Sequence, residues 1–272
     1  MLAHLCRTIA IVTLITASGC SHSARPYAPP ATCQSVQGLP SGDLLLFGEM
    51  HGSVETPALV FRVACSLAGS REIAVGLEIP SGEQPLIDTY LMSRGTEADK
   101  KKLTSSDFWQ RGWDGRSSSA MLGLINGVRT LKERGAPIVI FAFDDQPGTE
   151  LDRDIAIANG IRRFHDSHPS KQIVALMGNV HAMQESITIG PETIVPSGKL
   201  LKDLRPISIL VAYPKGSVWS CMPDCGVHEI PAANSFTGSL GFGVGAPPPK
   251  GYDYTYSLSS ITASPPAAHK AR

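Results

Sequence analysis

Two copies of one short pattern place a histidine just after an apolar run. Residues 44–47 precede Gly48-Glu49-Met50-His51, and residues 173–177 precede Gly178-Asn179-Val180-His181. The glycine in each copy allows a sharp turn out of a strand. If both runs are parallel strands of one sheet, their carboxyl ends share an edge, where open α/β sheets place their ligand sites. The spacing therefore predicts that the two imidazoles meet at one site.

The ends of the other apolar runs add carboxylates to the same predicted edge. Glu78 lies at the end of the run 73–79, and Asp144 follows the run 137–143. Together with Glu49 and the two histidines they form a set that could activate water or bind a metal. We expect Asp144 to lie beside a substrate or to orient a histidine. Glu55, one helical turn after His51, either orients that imidazole or is an ordinary first-turn acid.

A polar segment, residues 96–115, interrupts the alternation of strands and helices and is predicted to be an insertion over the sheet edge. It contains the aromatic stretch 108–113, and Trp113 is expected to contact a substrate. Arg116 follows Trp113-Asp114-Gly115 and could bind a substrate carboxylate or a developing oxyanion. The alternative for Arg116 is an ordinary surface arginine.

Apolar runs alternate with amphipathic stretches along the chain. The pattern predicts helices at 55–68, 81–92, 117–134 and 150–165, and strands at 43–47, 73–79, 137–143, 173–177, 207–213 and 217–221. Such alternation indicates an α/β fold, a mainly parallel sheet with helices on both faces and a helical or loop insertion over the carboxyl edge of the strands. We predict one domain at 42–258, preceded by a linker at 21–41 and followed by a disordered tail rich in Pro, Ser and Ala at 259–272.

Composition limits the kinds of partner. The chain has 272 residues, 42% of them hydrophobic, and its 24 basic and 24 acidic residues cancel. This balance gives no electrostatic footprint for nucleic acid or an anionic membrane. A small molecule or a peptide is the expected substrate.

The first twenty residues are typical of an export signal. Arg7 precedes a short apolar run at 9–15, which is too short to span a bilayer, and Ala17-Ser18-Gly19-Cys20 follows. Small residues ending in cysteine favour a bacterial lipoprotein signal with lipidation at Cys20, whereas an ordinary cleaved secretory signal is the alternative. Both interpretations place the mature protein in the bacterial cell envelope, either in the periplasm or on the outer membrane, and leave a lipid on Cys20 as the only membrane contact.

Cysteine usage agrees with export. Four cysteines remain in the predicted domain and linker, an even number that an oxidising compartment favours pairing. Cys221 and Cys225 bracket a turn-like segment and could form a local disulfide, which leaves Cys33 to pair with Cys65. A metal or redox role for Cys221 and Cys225 is the alternative.

The residues that predict the site also carry a family resemblance. Phe-Gly-Glu-Met-His-Gly at 47–52, Leu77-Glu78 and Met-Gly-Asn-Val-His-Ala at 177–182 resemble the superfamily that joins TIKI and TraB proteins, ChaN haem-binding lipoproteins and erythromycin esterases. The resemblance spans residues 43–213. TIKI-like members imply a metal-dependent protease, the esterases imply water activation by histidine without a metal, and ChaN-like members imply haem binding in the envelope.

These observations predict a hydrolase of ester or peptide bonds. In one form, Zn²⁺, Mn²⁺ or Fe²⁺ is held by the two histidines and a carboxylate, and the other carboxylate acts as general base; the ligand candidates are His51, His181, Glu49 and Glu78. In the other form, the same side chains position water directly. The alternative from a different class is a haem- or iron-binding envelope lipoprotein without catalytic turnover.

Overall fold

A computed structural model of the protein describes residues 33–145, 150–221, 224–231, 239–243 and 247–268. The predicted signal peptide, the lipidation site at Cys20 and the linker up to residue 32 lie outside the described residues.

The described residues contain eleven strands and eight α-helices. The strands are β1 (Leu44–Glu49), β2 (Ile73–Pro80), β3 (Ile138–Asp144), β4 (Gln172–Gly178), β5 (Ile187–Ile189), β6 (Glu192–Ile194), β7 (Ile207–Ala212), β8 (Gly216–Cys221), β9 (Cys225–Ile230), β10 (Gly241–Phe242) and β11 (Tyr254–Ser257). The helices are α1 (Glu55–Leu67), α2 (Gln84–Leu91), α3 (Glu97–Leu103), α4 (Asp107–Arg111), α5 (Ser119–Glu133), α6 (Glu150–Ser167), α7 (Asn179–Ala182) and α8 (Ser197–Leu200).

Within the described residues, seven strands form one sheet in the order β10-β11-β7-β1-β4-β2-β3. All neighbouring pairs in it are parallel except β10 with β11, which are antiparallel. The predicted α/β class with a mainly parallel sheet is confirmed. Two separate hairpins, β5 with β6 and β8 with β9, lie outside this sheet.

The central strands are buried on both faces, which explains why they are continuous apolar runs rather than alternating ones. In β1, Leu45 and Phe47 join the core formed with α1, α2 and α5, whereas Leu44 and Leu46 join the core formed with α6. Helices therefore cover both faces, and polar side chains accumulate at the edge where the strands end.

The predicted insertion consists of two short helices and the loop that follows them. Thr96 and Asp99 form a capping box at the start of α3. Trp109 of α4 is fully buried and anchors the segment to the core. The following loop lies directly against the chain after β1, because a Cβ atom on Gly115 would lie 2.3 Å from the Gly52 backbone. The insertion therefore contacts the sheet edge that carries the histidines.

The chain after residue 258 differs from the predicted disordered tail. The backbone N–H of Val54 donates to Thr262, and that of Ser119 donates to Pro265. Ile261 and Ser264 are buried. A segment rich in proline, serine and alanine has no periodic pattern of apolar residues. Its backbone groups nevertheless form hydrogen bonds with the residues at the start of α1 and α5. Residues 261–267, which we call the C-terminal strap, therefore belong to the domain.

Two disulfides join the pairs that the cysteine spacing predicts. Cys33 is bonded to Cys65 of α1, and Cys221 is bonded to Cys225 across the turn between β8 and β9. Val36 and Leu39 pack against the core beside the first disulfide, so the later part of the predicted linker is part of the domain. Two disulfides indicate an oxidising, extracytoplasmic compartment. Among the described residues, no helix is long and apolar enough to cross a membrane.

Candidate active site

Neighbouring strands deliver the predicted site residues to one edge of the sheet. Glu49 is the last residue of β1 and His51 follows it; Glu78 lies near the end of β2, and His181 lies on α7, directly after β4. Because β4 lies between β1 and β2, these side chains approach one another. The edge is the carboxyl end of parallel strands, as expected from the spacing.

His51 lies between two carboxylates. Its Nδ1 is 3.1 Å from Oε1 of Glu49, and its Nε2 is 3.5 Å from Oε1 of Glu78. Both carboxylates are almost completely buried. An imidazolium has a proton on each nitrogen, so this arrangement satisfies the charged form of His51 on both sides.

The charges of this group shift one another's pKa values. Burial opposes protonation of His51, but the charge of Glu78 and the hydrogen bonds with both carboxylates outweigh it and raise the pKa of His51 to about 10. Burial would also raise the pKa of Glu78, yet His51, His181 and Arg116 hold it well below its ordinary value. For Glu49, burial prevails and raises the pKa. His51 is therefore a cation at neutral pH.

His181 has a different environment. Its Nδ1 is 2.8 Å from Oδ1 of Asp154 on α6, and its Nε2 is 4.0 Å from Oε1 of Glu78. Asp154 is buried and also accepts hydrogen bonds from the backbone N–H and the hydroxyl of Ser197. Although burial opposes its charge, the hydrogen bonds with His181 and Ser197 lower the pKa of Asp154. In neutral His181, a proton on Nδ1 would donate to Asp154 and leave the Nε2 lone pair facing Glu78.

Gly178 leaves the space in which both histidines and Glu78 approach one another. A Cβ atom at this position would lie 3.3 Å from His51 Nε2, 3.3 Å from His181 Cδ2 and 3.6 Å from Glu78 Oε2. The backbone N–H of Gly178 also donates to Glu78 Oε2 over 2.6 Å. The glycine of the second motif therefore both holds a carboxylate and makes room for the imidazoles.

Two arginines neutralise the carboxylates behind the histidines. Arg153 of α6 donates to Glu78 Oε1 over 2.5 Å and to Asp144 over 3.1 Å. Arg116 contacts Asp144 and lies 3.5 Å from Glu78 Oε1, and its Nε donates to Asp114 over 2.8 Å. Arg116 is itself buried, and its neighbouring carboxylates raise its pKa despite the opposing effect of burial. Buried charges of both signs thus compensate one another.

The donor set does not fit a divalent metal in this arrangement. Among the described residues, no group of three or more His, Cys, Asp or Glu side chains is placed to hold a metal ion. The two Nε2 atoms converge on Glu78 Oε1, but Arg153 already donates to that oxygen and Arg116 lies nearby. Two guanidinium groups beside the shared oxygen would repel a divalent cation. The predicted ligands His51, His181, Glu49 and Glu78 therefore lie together without forming a metal site.

Three predicted roles change in the structure. Glu55 does not orient His51; its carboxylate accepts a hydrogen bond from the backbone N–H of Thr262 in the C-terminal strap, whereas Glu49 contacts His51 Nδ1. Asp144 is fully buried and contacts Arg116 and Arg153. The predicted surface alternative for Arg116 is wrong, since the residue is buried within the cluster.

Arg153, Asp154 and Ser197 were not predicted as site residues. One signal in the sequence points to Asp154: it shares the buried stripe of α6 with Ile157, Ala158 and Ile161. These residues recur at the spacing of one helix face, so a carboxylate in that stripe must find a polar partner. Ser197, on the short helix α8, has no comparable signal.

Cavities lie beside His181 and beside Arg116. One of about 480 Å³ lies beside His181 and Asp154, with mostly aliphatic walls from α6, α7, β6 and α8. Another of about 440 Å³ is lined by Arg116 and Asp114 together with Phe108, Arg111 and Trp113 of the insertion. Trp113 is 63% exposed and lies under the Arg111 guanidinium. The site therefore opens between an apolar cavity and a polar, partly aromatic one.

Solved structures of other proteins align with this chain to different extents. A histidine variant of erythromycin esterase EreC in its open conformation aligns with a TM-score of 0.58 and 10% identity, covering 84% of this chain and 93% of that chain. A protein of Bacillus cereus aligns with a TM-score of 0.50 and 10% identity, covering 84% and 90%. ChaN of Campylobacter jejuni, a haem-bound structure, reaches a TM-score of 0.33 at 12% identity, covering 63% and 82%.

No family model and no curated protein matches the sequence. The structural likeness nevertheless shows that this chain shares its fold with the erythromycin esterase structure. At these identities the likeness concerns the fold alone, and the chemistry has to be argued from the residues of this chain.

Proposed function

We propose that this protein is a hydrolase that activates water with its own histidines and carboxylates and cleaves an ester or peptide bond. The observation that carries the proposal is the contrast between two convergent histidines. His51 is a cation in contact with two carboxylates, whereas His181 contacts one carboxylate through Nδ1 and its Nε2 lies 4.0 Å from Glu78 Oε1. Acyl transfer to water requires a base that accepts a proton from water and a positive charge that stabilises the oxyanion. This site brings both together.

His181 is the proposed general base. Asp154 accepts from Nδ1 and fixes the tautomer, which leaves the Nε2 lone pair to accept a proton from water. Ser197 in turn fixes Asp154 through its hydroxyl and its backbone N–H. This chain of contacts orients the base through Nδ1, while Glu78 lies 4.0 Å from its reactive Nε2, beyond hydrogen-bond distance.

His51 and Arg116 are the proposed electrostatic partners of the reaction. Both are positively charged and are held by buried carboxylates, so their charges are in place before a substrate binds. Glu49 and Glu78 keep His51 protonated, and Glu78 also aligns Arg153. In this role the acids position cations and do not attack the substrate.

The reaction proceeds in two proton transfers. The water oxygen bonds to the carbonyl carbon while one water proton moves to His181 Nε2, and the carbonyl oxygen becomes an oxyanion facing the cations. The bond to the leaving oxygen or nitrogen then breaks, and the proton on Nε2 passes to the leaving atom. The products are a carboxylic acid and an alcohol or amine.

Ester and peptide assays with and without a chelator test the proposal. We expect hydrolysis of p-nitrophenyl acetate or of a casein-derived peptide to survive EDTA and to be lost in His181→Ala. His165→Ala, which changes an exposed histidine of α6, is the matched control. Full activity in the His51→Ala/His181→Ala double variant would overturn the assignment.

Haem binding without turnover is the second candidate. It is favoured by one observation, that His181 lies on the wall of the largely aliphatic 480 Å³ cavity with its Nδ1 held by Asp154. A histidine held in this way is a suitable axial ligand for haem iron. Hemin titration of the purified protein tests it: a Soret band that disappears in His181→Ala but persists in His165→Ala supports this candidate, and no band excludes it.

The expected setting of the protein is the cell envelope. The disulfides support an extracytoplasmic location, and the proposed partners are a small molecule or a peptide, not nucleic acid. A lipid on Cys20 would be the sole membrane contact. Labelling of cells with radioactive palmitate, compared between the natural chain and Cys20→Ser, tests whether that anchor exists.

A further inference from the structure

The cavity beside His181 is lined by residues that the proposed chemistry does not use. Ile155 of α6, Val180 of α7, Ile194 and Val195 of the β6 region and Leu200 of α8 form its walls. His181 and Asp154 lie on the same wall. A group bound in this cavity would therefore touch the proposed general base.

The walls hold apolar surface in contact with water. Ile155 is 50% exposed and Val195 is 40% exposed, whereas aliphatic residues of the neighbouring core such as Ile157 and Ile161 are fully buried. Burying such exposed aliphatic surface under a ligand is favourable roughly in proportion to the area covered. The volume of about 480 Å³ lies within the range of small-molecule sites.

The polar residues of the cavity exclude one kind of ligand. Glu192 and Thr193 are the polar lining residues besides His181 and Asp154, so the cavity presents two acids and no Lys or Arg side chain among the described residues. An anionic group would be repelled there. The arginines lie instead in the other cavity, beside Trp113. A neutral aliphatic group suits the cavity beside His181, and polar or anionic groups suit the one beside Trp113.

We propose that the cavity beside His181 binds an aliphatic chain of a neutral ester, so that it determines which esters the enzyme hydrolyses. This inference rests on the proposed hydrolase function for its catalytic part, but the binding of an aliphatic chain does not depend on turnover.

Two ester series and two cavity variants test the inference. p-Nitrophenyl esters from acetate to octanoate lengthen the acyl side, and acetate esters from ethyl to octyl lengthen the alcohol side. We expect kcat/KM to rise by about fourfold per added methylene in one of the series until the cavity is filled. Val195→Trp, which fills the cavity, and Ile155→Gln, which makes its wall polar, should remove that dependence.

Both variants change partly exposed positions, so the fold should tolerate them. Met92→Trp places the same ring at a 77% exposed residue that follows α2 and serves as the matched control. If kcat/KM is independent of chain length in both series, or if its dependence on length is unchanged in both cavity variants, the inference is wrong.

A binding measurement separates this inference from the proposed function. The neutral dye Nile red should fluoresce with the natural protein and with Met92→Trp, be displaced by 1-octanol, and lose its signal in Val195→Trp and Ile155→Gln. Dye binding with this pattern but no ester turnover would reject the hydrolase and keep the aliphatic site. Turnover without dye binding and without chain-length dependence would keep the hydrolase and reject the aliphatic site.

Discussion

The two Gly-x-x-His segments have the same spacing and follow neighbouring parallel strands, yet they place their histidines in opposite chemical environments. His51 contacts carboxylates on both ring nitrogens, and its pKa rises to about 10. His181 contacts Asp154 on one nitrogen and lines a largely aliphatic cavity. The repeated motif thus determines the position of each histidine, whereas residues from other elements determine the protonation state of its imidazole.

The largest effect should follow from removing His181, the histidine that Asp154 orients. His181→Ala should lower kcat for an ester by about 10³-fold, within the usual range for a general base. Circular dichroism and the unfolding midpoint should remain close to those of the natural protein, because the side chain is partly exposed. An equal loss in His165→Ala would show that histidine replacement alone, and not the site, causes the effect.

A large effect on stability should follow from neutralising Glu78, the carboxylate that lies near both histidines. Glu78→Gln removes a buried negative charge that contacts His51, Arg116 and Arg153, although both arginines keep Asp144, and should lower the free energy of unfolding by about 3–5 kcal/mol. Urea denaturation measures this loss. Glu97→Gln, which breaks an exposed pair with Lys100 on α3, is the control and should leave the midpoint unchanged.

A pH-dependent effect, spread over several pH units, should come from His51 alone. The pKa of His51 is about 10 in the folded protein, whereas its ordinary value is 6.5. The stabilisation of the folded protein by charged His51 is therefore complete below about pH 6.5 and is lost as the pH rises through 10. Between these limits stability should fall by about 1.4 kcal/mol per pH unit on account of this group. Urea denaturation from pH 6 to 10.5 checks the slope.

His51→Gln should remove that part of the pH dependence, whereas His181→Gln should retain it. If both variants keep the slope of the natural protein, His51 is not the protonated member of the pair. Titration of the two imidazoles by NMR would then show which histidine carries the charge.

The smallest effect should come from the space between the histidines. The Cβ atom in Gly178→Ala would lie 3.3 Å from an atom of each imidazole, close enough to displace both by a few tenths of an ångström. We expect about a tenfold loss in kcat with little change in KM, since positioning of the base is impaired but the cavities are not. Gly123→Ala, at an open position in α5, is the matched control.

The sheet and the meeting of the histidines could be predicted because both depend on local pattern. Apolar runs followed by glycine and a polar residue mark the carboxyl ends of strands, and parallel strands bring those ends together. The Cys221–Cys225 disulfide was predicted from the short turn-like segment between the two residues, and Cys33–Cys65 was predicted as the pair that remained.

The remaining features depend on distant elements. Asp154 on α6 contacts His181. The residues at the strand ends do not predict how α6 is rotated against the sheet, so they could not predict this contact. The C-terminal strap was predicted to be disordered because this part of the chain is rich in Pro, Ser and Ala, but backbone hydrogen bonds hold it and Ile261 is buried. Whether the histidines bind a metal also depends on Arg153, which approaches Glu78 from another element.

The carbonyl of Gly52, the residue after His51, accepts backbone hydrogen bonds from both Trp219 of β8 and Ser264 of the C-terminal strap. Amide hydrogen exchange can occur only when such a bond opens. The Trp219 and Ser264 amides belong to segments far apart in the chain, yet both should exchange with the frequency at which the loop carrying His51 moves. Two peptides in a deuterium-uptake experiment would then report the opening of the site without any substrate.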